Sequence, residues 1–141
     1  APPAPAPTPP VVEQLFRFHG EPDFDQIETL RDAQGQYLGE FGVGVAEIDG
    51  DDWNRVRALE VWLFDKSDTR TLTAHLLPPA QMAAAEAAED ETLCIPLRVG
   101  QPIELETATL WVEGSVERVS FHPGDEGAIK EVFLTLRGGG R

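Results

Sequence analysis

The chain has one cysteine and one methionine in 141 residues, few basic side chains, and no long apolar run. A single cysteine cannot close an internal disulfide, so no covalent framework holds the fold. Cys94 lies in the strand-like context TLCIPL and reads as a structural thiol, because a nucleophilic one wants a basic, partly exposed setting. No stretch reaches the roughly 18 apolar residues of a membrane-spanning helix, so direct membrane insertion of this segment is not expected. Lysine and arginine total 11 against 25 aspartate and glutamate, a net charge of −14. A field of that sign repels phosphate backbones, which excludes nucleic acid as a natural partner, and attracts cationic protein surfaces or metal ions.

Signatures of catalysis are missing too. His19, His75 and His122 are far apart and follow no H-x-H, H-x-x-x-H or H-E-x-x-H spacing. Ser67, Ser115 and Ser120 lack the context of a nucleophile elbow, and there is no C-x-x-C or P-loop. In so acidic a chain, neighbouring carboxylates arise without any need to converge on a substrate. The expectation is a protein that is not an enzyme and carries no cofactor.

What is present begins with APPAPAPTPP, residues 1–10. Proline fixes φ and removes backbone donors, so this segment favours polyproline II and reads as a semi-rigid spacer. The chain starts at Ala1 rather than at methionine, which suggests a piece of something longer. Residues 1–12 are therefore expected to be a linker, 13–137 a single β-rich domain, and 138–141, GGGR, a flexible tail. A domain near this size buries about two-thirds of its unfolded surface, enough for an ordinary core.

Period-two patterns dominate that domain. In VEQLFRFHG, Phe16 and Phe18 share one face and Leu15 and Arg17 the other. The run YLGEFGVGVAEI carries Gly39, Gly42 and Gly44, and glycine inside a strand marks a bulge, a bend or a close approach. From Ala58 to Phe64 both faces are apolar apart from Glu60, the pattern of a central strand covered on each side. After DKSD, Leu72, Ala74 and Leu76 alternate with Thr71, Thr73 and His75, which predicts a hairpin. Residues 78–91, PPAQMAAAEAAEDE, predict one short helix behind two prolines, fraying at its acidic end and crossing or capping the sheets. Strands then return in TLCIPLRV, in a long run from Ile103 to Phe121 with Gly114 as a kink, and in AIKEVFLTLR. Many short strands with one helix predict an antiparallel β-sandwich or partly open barrel.

Two constellations carry candidate chemistry. EIDGDDWN sets Asp49, Asp51 and Asp52 around Gly50, and D-x-D spacing can offer oxygens to calcium. No bidentate glutamate follows, and Asp-Gly is a common hairpin turn for backbone reasons alone, so the turn reading is preferred over a calcium site. In FDKSDTR, Asp65, Asp68 and Arg70 form a charge cluster, read first as a hairpin pinned by carboxylate bonds and an Arg–carboxylate pair, and second as a partner-recognition loop.

Three blocks, GQYLGEFGVGVAE, ALEVWLFDKSDTRTLT and LETATLWVEGSV, occur in this order and together resemble an uncharacterised bacterial domain over residues 24–116. The family pattern has LGE-x-G-V, EVWLFDK-x-D-x-RT-x-T and L-x-TATL blocks. The resemblance implies a domain that ends longer chains starting with a hydrophobic anchor, and it brings no known activity. Residues 47–57 and 78–93 depart from the pattern. The reading that follows is an interaction or assembly module on a proline-rich tether, its partner a protein or a second copy. A small-ligand or calcium-binding sensory domain is the alternative. Localisation is left open, with a bacterial membrane tether by an upstream segment as the expectation from the resemblance.

Overall fold

A computed structural model describes residues 9–50, 52–88 and 92–141. In chain order the elements are β1 (Val11–Phe18), β2 (Asp25–Arg31), β3 (Tyr37–Asp49), β4 (Asp52–Asp65), β5 (Arg70–Leu77), α1 (Pro79–Ala87), β6 (Leu93–Pro96), β7 (Pro102–Glu106), β8 (Leu110–His122) and β9 (Asp125–Gly140). The fold is mainly antiparallel β with a single short helix among the described residues, and its sheet does not close.

The sheet folds because two long strands change partners along one edge. β4 pairs with β5 from Leu59 to Asp65, but at Val56 it meets Ile129 of β9 instead. β9 in turn pairs with β1 from Val132 to Gly139. Two leaves result, β2-β3-β4-β5-β6 and β1-β9-β8-β7, joined at the Val56–Ile129 corner. Register shifts in β3 between Val45 and Asp49, and in β8 between Ser120 and His122, lie beside that corner. An extra residue bends and twists a strand, which is what the turn from one leaf to the other requires.

One cluster fills the space between the leaves. Leu59, Val61 and Leu63 of β4, Ala74 and Leu76 of β5, and Val132, Leu134 and Leu136 of β9 are buried, as their alternation predicts. So are Phe16 and Phe18, while Arg17 on the opposite face is exposed. Each fully buried Leu, Val or Phe contributes about 1.5–3 kcal/mol relative to exposure. Among the described residues β5 and β6 form the one parallel pair, and a parallel pair needs a crossover. α1 supplies it. The prolines at its start need no amide partner, but no side chain caps it and none of its residues is buried. The helix ends at Ala87, and residues 89–91 lie outside the described residues. No described helix is long and apolar enough to cross a membrane.

Four expectations are corrected. Gly138, Gly139 and Gly140 are not a flexible tail but the end of β9. Gly138 and Gly139 pair with Val12 and Val11 of β1 on one edge, and all three pair with β8 on the other. A Cβ at Gly138 would sit 2.9 Å from the Phe41 ring, so the bare backbone there is part of the core. The domain accordingly starts at Val11, inside the expected linker, whose residues 1–8 lie outside the described residues. The run from Ile103 to Phe121 is two strands, because Thr107–Thr109 turn the chain back on itself between β7 and β8. Finally, β4 is central between β3 and β5, but its outer face is covered only at Ala58 and lies open further along. Trp62 and Phe64 stand half-buried on the outer face.

Candidate functional site

The acidic loop resolves into an ion-pair ladder. β3 ends at Asp49 and β4 begins at Asp52, which pair across the hairpin end; Asp51 lies outside the described residues. Arg57 donates from Nη2 to Asp49 Oδ2 at 2.7 Å and from Nη1 to Asp125 Oδ1 at 2.8 Å. Arg55 donates from Nη1 to the other Asp125 oxygen at 3.0 Å and from Nε to Asp52 Oδ2 at 3.2 Å. The hydrogen bonds to Asp125 and Asp49 hold the Arg57 guanidinium above its ordinary pKa, and the bond from Arg57 lowers that of Asp125. Asp49 and Asp52 thus each give one carboxylate oxygen to a guanidinium, and Asp125 gives both. Among the described residues no group of three His, Cys, Asp or Glu side chains converges to hold a metal ion. Asp125 comes from the segment HPGDEG, 68 positions beyond Arg57, and nothing in the sequence marks it as the partner.

The second constellation divides. Asp65 is 0 % exposed and sits where β4 enters the turn to β5. Its Oδ1 accepts the Ser67 amide at 2.8 Å; its Oδ2 accepts the Thr107 hydroxyl at 2.7 Å, the Thr109 hydroxyl at 2.8 Å and the Thr109 amide at 3.1 Å. Burial alone raises a carboxyl pKa, but the hydrogen bonds from Thr107, Ser67 and Thr109 outweigh it and hold Asp65 well below the ordinary range. Asp65 therefore clips the β4–β5 turn to the β7–β8 turn and presents nothing to solvent. Asp68 accepts the Arg70 backbone amide at 3.2 Å, and both residues are exposed. The expected Arg–carboxylate pair is not formed, since among the described residues Arg70 makes no ion pair; the turn is already satisfied by backbone donors.

The outer face of the first leaf is the remaining feature, and β-pairing orders it in rows. Ile27, Gly42, Trp62 and Thr73 lie side by side across β2, β3, β4 and β5. One flanking row is Asp25, Gly44, Glu60 and His75; the other is Thr29, Glu40, Phe64 and Thr71. The Trp62 indole lies across β3: a Cβ added at Gly42 would come within 2.4 Å of it, and one at Gly44 within 3.5 Å. These are the close approaches that the glycines of β3 permit, made by a side chain from the next strand. Ile27 is 48 % exposed at the edge of the same row. α1 packs against β5, β6 and β9.

Trp62 also lines a cleft of about 380 Å³ with Asp23, Phe24, Asp25, Gly44 and Glu60. Phe24 is fixed there by edge-to-face contact with the buried Phe18, at a centroid distance of 5.5 Å. The Glu60 carboxylate lies 3.8 Å from His75 Nε2. Cys94 follows His75 in the next register position, and its thiol donates to the Thr92 carbonyl at 3.6 Å. The arrangement combines an aromatic floor, an apolar neighbour and a carboxylate rim. No protein-family model, curated protein or solved structure matches the chain.

Proposed function

We propose that this protein is a non-enzymatic interaction module that docks a protein partner on the outer face of its first leaf, around Trp62. The observation behind this reading is the half-buried Trp62–Phe64 pair on a sheet face whose other side is the core. Large aromatic side chains left at a surface are the usual anchors of protein interfaces. Asp25, Glu40 and Glu60 border the anchors, so the matching surface is apolar with a basic rim. The module works at the end of the Pro/Ala-rich segment, and the resemblance implies an anchored bacterial chain beyond it.

The test is crosslinking and light scattering on the full-length chain, with any captured protein purified and recombined. Trp62→Lys should abolish the complex while leaving the melting transition of the domain in place. A chain that stays monomeric with no captured partner, or a complex indifferent to Trp62→Lys, overturns the reading.

A further inference from the structure

Resting on that reading, we infer that the cleft beside Trp62 is a receptor for one cationic side chain, an arginine or lysine of the docked polypeptide. Three carboxylates, Asp23, Asp25 and Glu60, line the cleft with the rings of Trp62 and Phe24. A cation over an aromatic face gains from the ring quadrupole, and nearby carboxylates add Coulomb attraction. One side of the indole is laid on the backbone of β3 by the missing side chains at Gly42 and Gly44, which holds the ring without a flexible partner. A ring fixed before binding loses little freedom when the cation arrives.

Four of the chain's own cations lie over other rings. Arg17 and Arg118 lie over Phe133 at 6.0 and 5.5 Å, Lys66 over Tyr37 at 6.0 Å, and Arg137 over Trp111 at 5.8 Å. Among the described residues no cation lies over Trp62 or over Phe24, so the rings of this acidic cleft are left for a cation from outside. The net charge of −14 draws such a group toward the molecule over distances of about a Debye length. A hydrophobic anchor alone would not need this lining, because Asp23, Asp25 and Glu60 disfavour apolar contact at the cleft itself. The apolar part of the partner falls instead on Ile27 and Phe64, one strand-row away or along the same row.

The full chain, labelled for NMR, is titrated with a capped five-residue peptide carrying one central arginine in alanine, and with the same peptide carrying glutamine. The arginine peptide should move the Trp62 indole signal and the Gly42 and Gly44 amides; the glutamine peptide should not. Trp62→Leu should weaken binding by roughly threefold to thirtyfold, and Trp62→Phe should retain most of it. Glu60→Gln should weaken it and reduce its salt dependence. The amides of β1 and β9, paired in the other leaf, report whether each variant is folded. Equal binding of both peptides, or arginine binding unchanged in Trp62→Leu, overturns the inference. Free arginine binding as tightly as the peptide would assign the cleft to a small amine and overturn it as well. If partner capture depends on Trp62 while the arginine peptide does not bind, the interaction reading survives and this one fails.

Discussion

The Thr107 hydroxyl donates a 2.7 Å hydrogen bond to the Asp65 carboxylate across 42 positions of sequence. Thr109 adds its hydroxyl and its amide to the same oxygen, so one buried carboxylate ties two turns from opposite leaves. The bond also explains why the sequence between Ile103 and Phe121 breaks where it does. A turn at Thr107–Thr109 brings both threonines to Asp65, whereas a continuous strand would carry them on past it.

Asp65→Ala should lower the unfolding free energy by about 3 kcal/mol, because it leaves several buried donors without an acceptor. Asp65→Asn keeps the shape and one acceptor oxygen and should cost less. Urea denaturation at neutral pH, with unchanged m-value, measures both.

The pH dependence follows from the direction of the Asp65 shift. Its folded pKa lies below the unfolded value of about 3.9, so between the two the unfolded state binds more protons. The stabilisation is present above the unfolded pKa and is lost as pH falls below it toward the folded one. Asp125 shifts in the same direction and adds to the slope. Stability should be flat from neutral pH to about pH 5 and then decline, and Asp65→Asn should show a shallower decline. Melting temperatures across that range check it.

Thr69, in the β4–β5 turn, has φ of 54°, a left-handed conformation that a β-branched residue adopts only at a cost. Thr69→Asn should stabilise the domain by about 1 kcal/mol, since asparagine tolerates this region. Thr69→Gly should gain less, because glycine also frees the unfolded chain. A thermal melt that falls for both variants would contradict this account of the turn.

Gly42→Ala should destabilise by about 1–3 kcal/mol, the usual range for overpacking, as its methyl meets the indole of Trp62. The backbone carbonyl of Gln26 is nearly as close, at 2.5 Å, so Trp62→Ala should relieve the cost in part and not in full. A double-mutant cycle gives that coupling directly. Zero coupling would mean that the indole does not determine the glycine.

Much of the fold was legible because it is periodic. The alternation in VEQLFRF, in LTAHLL and in VFLTL assigns inner and outer faces from composition alone, since side chains in a strand change sides at every residue. The Asp-Gly turn between β3 and β4 was legible for a similarly local reason. The ladder around Arg57 was not. Asp125 has no sequence signal pairing it with Asp49, and only the meeting of β9 with β4 at Ile129 and Val56 brings it near. Asp65 stood out as a charged residue in a turn, but the sequence placed it with Arg70, whereas burial against Thr107 and Thr109 gives it a different set of partners.

The sequence by itself determined most strand faces, the helix that begins at Pro79, the acidic composition and the two-faced apolar character of β4, because each depends on neighbours along the chain. Tertiary structure alone decided which face of β4 is core and which is surface. That choice depends on where the second leaf folds, and the fold is set by two strands exchanging partners at one corner. The same folding turns GGGR from an expected tail into a paired strand end, and leaves Trp62 lying on Gly42 at the molecule's surface.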